Sequence, residues 1–287
     1  MTATRRARGL LLALALLLVA GCGTSPAPRA SPYHDSDADL TVTRIVHGSV
    51  ILDLRGTRFL VDPWFHPGYV VRQAEPLGLK PDALPDAAAV LLTHRHSDHF
   101  DPKVLRTLAP RIPRVIAPRD LHGRLEKLGF ETITDLEWWE KTDVGDVVVT
   151  AVPARHSVPE NGYVLEREGT SVYLAGDTTY FPELVDVATR FPHLDAALLP
   201  VGGRRLVGLR REMGPDDAAK AAALLDARRV IPIAYGETGG FPIRWFARRP
   251  AQRFVEQCKK RGISGDRVVV LEAGESWHYY RQAGAGT

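Results

Sequence analysis

Thr93-His94-Arg95-His96-Ser97-Asp98-His99-Phe100-Asp101 follows directly on the apolar run Ala87-Ala88-Ala89-Val90-Leu91-Leu92. Three histidines and two aspartates thus fall within eight residues. A short apolar run bounded by polar residues reads as a buried strand, and the polar residues as the loop it releases. Imidazole and carboxylate are donors that borderline cations such as zinc accept. His94 and His96, two apart, face one cation if the loop is locally extended. Asp98 and His99 then turn toward a second. A solvated polar loop is the bland alternative, and the density and order of H-x-H-x-D-H argue against it.

Working outward toward the N-terminus, residues 1–39 read as address and tether. Arg5-Arg6-Ala7-Arg8 is a positive n-region, Gly9 to Val19 a short apolar core, and Val19-Ala20-Gly21-Cys22 resembles a bacterial lipobox. The apolar run is short for a spanning helix, the competing reading. The expectation is a signal peptide over 1–21, removed on export, and a membrane anchor through acylated Cys22. Residues 22–39, rich in Ser, Pro, Ala and Asp, read as a disordered tether, leaving 40–287 as the domain. The leader also explains the formal charge of +3: without Arg5, Arg6 and Arg8, the 37 basic residues match the 34 acidic ones one for one. Nothing in that balance suggests a nucleic-acid-binding surface. Cys258, the other cysteine, cannot form an internal disulfide if Cys22 is acylated, and reads as a helix residue facing the interior.

Downstream of the tether the pattern predicts strands over 41–46, 50–54 and 58–61, the last ending in Asp62-Pro63-Trp64. A proline-punctuated loop over 66–86 leads into the ligand strand. Trp64, Phe65 and Tyr69 read equally as an entrance for substrate or as packing. After the loop come a helix from Pro102 to Leu108, a strand over 114–117 and a helix over 119–128, an alternation that gives parallel βαβ units. A second block repeats the order. Val147–Val152 is a strand running into Pro153-Ala154-Arg155-His156, and 162–166 with 171–174 form a hairpin. Ala175-Gly176-Asp177 then closes a buried strand with an aspartate placed to bridge two cations. A helix over 182–189, strands over 196–200 and 230–233, helices from Pro215 and Pro250, and a strand over 268–271 complete the chain. Between them, Gly202, Gly203, Arg204, Arg205, Gly208, Arg210 and Arg211 make a loop whose guanidinium groups suit a phosphate or carboxylate. A solvated basic loop is the alternative.

H-x-H-x-D-H at the end of an apolar strand resembles the signature of the metallo-β-lactamase fold superfamily of metal-dependent hydrolases. The resemblance covers about Leu40 to Glu272. It is nearest the branch of ascorbate-6-phosphate lactonase-like proteins and N-acyl-phosphatidylethanolamine phospholipase D, through Trp138-Trp139-Glu140, Val152-Pro153-Ala154-Arg155-His156, Gly176-Asp177-Thr178 and Met213-Gly214-Pro215-Asp216-Asp217-Ala218. It implies an α/β fold, a four-layer αββα sandwich of two packed mixed sheets flanked by helices. It also implies that His94, His96 and His156 hold a first cation and that Asp98, His99 and Asp177 hold a second, with Asp98 also steering the attacking hydroxide. Asp62 and Asp101 are expected behind the ligands, and His47, in a turn like the Gly-His of the same branch, near the metals or at the surface.

The chain departs from the branch at Pro232-Ile233-Ala234-Tyr235-Gly236, where Ala234 stands in place of the last histidine ligand, and at Glu212, where a histidine is usual. Two outcomes are open. Glu212 or Glu237 supplies the missing donor, tilting the second position from zinc toward iron or manganese. Alternatively, one Zn2+ works alone on three histidines and water. The implied function is a membrane-anchored hydrolase using a metal-bound hydroxide on an ester, lactone or phosphodiester of a small-molecule or lipid substrate. The rival is an exported lipoprotein with a decayed site, kept for binding or scaffolding.

Overall fold

The computed structural model describes residues 35, 37–68, 71–206, 209–239 and 249–281, the side chains of 205, 206, 209, 210 and 237–239 excepted. The leader, Cys22 and most of the tether lie outside the described residues, as do Tyr69 and Gly208. Among the described residues no helix is long and apolar enough to cross a membrane.

Strands β1 (Leu40–Val46), β2 (Ser49–Leu54) and β3 (Thr57–Val61) form an antiparallel meander. A short β4 (Val71–Gln73) interrupts the proline-rich loop. β5 (Ala89–Leu91) then lies parallel to β3 and is followed by α1 (Pro102–Leu108), β6 (Arg114–Ala117), α2 (His122–Glu126) and β7 (Thr132–Asp135). The second block repeats the scheme. A meander of β8 (Lys141–Val144), β9 (Val147–Pro153), β10 (Asn161–Arg167) and β11 (Thr170–Leu174) passes through α3 (Leu184–Arg190) to β12 (Ala196–Pro200). A small hairpin, β13 (Arg205–Leu206) and β14 (Leu209–Arg210), precedes α4 (Pro215–Leu225) and β15 (Arg229–Ile233). β16 (Glu237–Gly239) pairs with β4, α5 (Pro250–Lys260) packs on α4, and β17 (Ser276–Tyr279) returns to pair with β1.

The result is a seven-stranded sheet in the order β17-β1-β2-β3-β5-β6-β7 and a six-stranded sheet in the order β15-β12-β11-β10-β9-β8. Each is antiparallel in its meander and parallel in its βαβ part. The period-2 alternation of a strand sorts the side chains into layers. Ala89 and Leu91 of β5 face the same central core as Ala196 and Leu198 of β12. Val90 and Leu92 point the other way, onto Val104, Leu105 and Leu108 of α1. Ala197 and Leu199 likewise cover Leu184, Val187 and the alanine face of α4. Strands buried on both faces are why these segments read as unbroken apolar runs. The architecture is the αββα sandwich expected.

Three local expectations change. Trp64 is fully buried and Phe65 nearly so, both in the core under α1, so they pack and do not line an entrance. The apolar stretch 268–271 makes a single bridge, Val230 to Val268, and the closing strand is instead β17, which finds a free edge at β1. The predicted helix over 119–128 is a 3-10 turn followed by the short α2.

Candidate metal centre

β1, β3, β5, β9, β11, β12 and β15 all run the same way within their sheets, so their C-terminal ends share one edge of each sheet. The crevice outside such ends is where open α/β sheets place ligands. Asp62 follows β3, the His94–Asp98 loop follows β5, His156 follows β9, Asp177 follows β11, and His47 sits in the β1–β2 turn.

Two groups of potential ligands form there. The nitrogens of His94, His96 and His156 lie within 4.8 Å of one another, and so do ligand atoms of His47, Asp98, His99 and Asp177. In the first group His96 Nδ1 faces His94 Nε2 at 3.0 Å and His156 Nε2 at 2.9 Å. Nitrogens sharing a tetrahedral zinc sit about 3.4 Å apart, so the triad is close to ligand spacing. The far ring atoms are tied down. His94 Nδ1 meets Thr93 Oγ1 at 3.0 Å and Glu160 Oε1 at 3.1 Å, and His156 Nδ1 meets the Arg211 carbonyl at 2.7 Å. Such partners fix ring orientation at metal sites. Burial lowers the pKa of all three imidazoles, His96 to about 4 with help from neighbouring His156. They are therefore neutral, the form that donates a lone pair.

The second group is charged. Burial opposes ionisation of Asp98 and Asp177, yet their neighbours win: the Arg204 charge and a hydrogen bond from His47 hold Asp98 well below the usual range, and charged His99 holds Asp177. Burial likewise opposes charge on His99, but Asp177 and Asp62 raise it well above its ordinary value. Its Nδ1 contacts Asp62 Oδ2 at 2.8 Å and its Nε2 lies 3.2 Å from Asp177 Oδ2. His47 Nε2 is 3.5 Å from Asp98 Oδ2, an oxygen that also receives the Arg204 guanidinium. The groups touch through His94 and His99, whose ring centroids are 4.2 Å apart.

The supporting residues fall into two sorts. Asp62, at a positive φ of 41°, accepts from Thr93 N (2.8 Å) and Thr93 Oγ1 (2.6 Å) as well as holding His99. Asp101 stands one step further out: it caps α1 through the Lys103 and Val104 amides and takes Phe65 N and His66 with its other oxygen. Glu212 is buried behind the arginine loop, where its Oε1 accepts from Arg204 N at 3.0 Å, and it belongs to neither ligand group. The Glu237 side chain lies outside the described residues.

Two further residues join the centre: His47, expected near the metals or at the surface, and Glu160, which spacing does not reveal. His47 enters the second group from a turn pinned by Glu75, which accepts from His47 N (3.1 Å) and pairs with the fully buried Arg44. Glu160 accepts from Asp177 N at 2.7 Å, close against Gly176, where any Cβ would come within 2.5 Å of its Oε1. Its signal in the sequence is faint: an acid between Pro159 and the strand after His156.

The carboxylate of Asp177 is buried and held ionised by His99, 3.2 Å from its Oδ2, while its Oδ1 has no hydrogen bond. An ionised carboxylate is costly to leave that way, and a cation beside it relieves the cost. Together with three neutral, convergent imidazoles this fits a metal centre.

The comparisons agree with that chemistry. Residues 57–235 match the model of the beta-lactamase superfamily domain. A "UPF0173 metal-dependent hydrolase" of Pyrococcus furiosus is 33% identical over 82% of this chain and 97% of its own length. One from Thermococcus onnurineus is 32% identical over 76% and 90% respectively. Among solved structures, Igni18, a metallo hydrolase from Ignicoccus hospitalis, superposes with a TM-score of 0.68 at 22% identity, covering 85% of this chain and 99% of that one. The chain belongs to the beta-lactamase superfamily and, within it, to the UPF0173 metal-dependent hydrolases.

Proposed function

We propose that this metal-dependent hydrolase is an exported lipoprotein, anchored through acylated Cys22, that cleaves an ester, lactone or phosphodiester bond in a small-molecule or lipid substrate. The observation that carries the site is the convergence of His94, His96 and His156 beside the buried carboxylate of Asp177. A divalent cation, zinc by its fit to an all-imidazole set, supplies Lewis acidity and lowers the pKa of water when bound there. The protein does the rest. Thr93, Glu160 and the Arg211 carbonyl hold the triad rings in place. Asp177, its Oδ2 held by His99, keeps Oδ1 as an acceptor that would orient a proton of the attacking water. Asp98 lies beside it with His47 and Arg204. The lipobox-like Val19-Ala20-Gly21-Cys22 supports the anchor and, with it, a substrate in the cell envelope.

The test takes the full chain through chromogenic ester, lactone and phosphodiester substrates, before and after chelation and with Zn2+ added back. Turnover of one class that chelation abolishes and Zn2+ restores is expected, and no turnover of any of the three overturns the bond assignment. The anchor is tested separately: Cys22→Ala moves the chain from the membrane to the soluble fraction, and a wild-type chain already soluble overturns it.

A further inference from the structure

The second ligand group already contains a cation of the protein's own. Asp98 is almost completely buried, and its Oδ2 carries the guanidinium of Arg204, itself mostly shielded from water. Arg204 is held there by its backbone as well. Its N–H donates to Glu212 Oε1, its carbonyl accepts from Arg211 N at 2.9 Å, and Gly203 N donates to Met213 O at 3.1 Å. Gly202 lets this loop lie against Glu212 and the Ala234 carbonyl, where a Cβ would collide with both. Ala234, buried at a φ of 56° with its N–H on the His47 carbonyl, brings no donor atom of its own side chain to the group. A guanidinium is planar, permanently charged and less strongly hydrated than an ammonium, which suits it to a buried carboxylate.

We propose that Arg204 is the resident cation of the second ligand group, so that the centre binds one metal ion, at His94, His96 and His156, with Arg204 as a fixed positive charge beside it. The inference rests on the metal-dependent reading of the first group. A divalent ion on Asp98 would have to share that carboxylate with a guanidinium, and like charges at that range repel strongly in a buried setting. The arrangement keeps a positive charge where a second ion would sit, independent of metal supply.

The experiment is metal stoichiometry on the full-length chain in detergent, dialysed to equilibrium against excess Zn2+ and read by elemental analysis. A titration with Co2+, followed by its visible absorption, gives a second readout. The wild type is expected to hold about one Zn2+ per chain and Arg204→Lys the same, whereas Arg204→Met takes up about a second ion with its own Co2+ band. About two ions in the wild type overturns the inference while leaving the hydrolase reading intact. So does a folded Arg204→Met that stays at about one. Should that variant fail to fold, the Co2+ titration of the wild type decides: one endpoint supports the inference and two overturn it. No bound metal in any chain overturns this inference and the metal-dependent reading together.

Discussion

The two ligand groups sit ring against ring, His94 beside His99, yet they are built on opposite principles. In the first, three imidazoles come from two strand ends and are held neutral by burial, and those of His94 and His156 turn their outward nitrogens onto Thr93, Glu160 and a backbone carbonyl. In the second, two carboxylates and a charged histidine are threaded through Asp62, His47 and Arg204. A neutral set of donors needs a cation from outside to justify its crowding. A set of carboxylates takes charge from its own surroundings. Position along the strand edge does not separate the two groups; the charge of their supports does.

The comparison breaks first at the triad. His96→Ala or His156→Ala should abolish metal binding at the first group and cut turnover by roughly three orders of magnitude or more, the several kcal/mol a bound cation contributes. Elemental analysis alongside kinetics checks this, and a variant that keeps both metal and activity would show the triad to be incidental. Next in size is the support of the second group. Glu75→Ala leaves Arg44 fully buried without its partner and loosens the His47 turn. A loss of about 3–5 kcal/mol in urea unfolding is expected. A shift under about 1 kcal/mol would mean the turn is held by other contacts.

A finer probe is Thr93, whose hydroxyl donates to Asp62 and meets His94 Nδ1, so that one side chain serves both groups. Thr93→Val should weaken zinc affinity by about 10–100-fold, the cost usual for a lost support of a ligand. Competition with a chromophoric chelator measures it, and unchanged affinity would leave Glu160 as the sole support. A further effect is in pH. In the metal-free chain His96 titrates near 4, below its ordinary 6.5. The unfolded chain therefore binds the extra proton first. Stability contributed by the neutral ring is full above about pH 6.5 and falls away as pH drops toward about 4. Calorimetry across that window should show a steeper decline in wild type than in His96→Ala. Parallel curves would assign the acid sensitivity to other groups.

Much of this was readable in advance, and for a physical reason. Strands covered on both faces are unbroken apolar runs, so the polar residues at their ends stand out, and His94, His96, Asp98, His99 and Asp177 fall at such ends. His156 was legible only in company, since a lone histidine after a strand has no spacing to mark it. His47 was legible through its Gly-His turn only as near the metals or at the surface, and Glu160 was not distinguished at all, because each reaches the centre from a turn whose placement depends on tertiary contacts: Glu75 with Arg44 for one, the close pass of Gly176 for the other. The Arg204 loop showed its charge but not its target. An arginine's long side chain leaves its destination to the fold, and here the destination is Asp98, more than a hundred residues earlier.

The pairing of β17 with β1 sets a timetable for synthesis. Thr41 meets His278 and Val42 meets Trp277, so the first strand of the seven-stranded sheet waits for a partner 237 residues further along the chain. Contacts of such separation form late. A nascent chain carrying every ligand through Asp177 still lacks the edge that closes that sheet, so ribosome-stalled chains cut before Ser276 should remain protease-sensitive at β1.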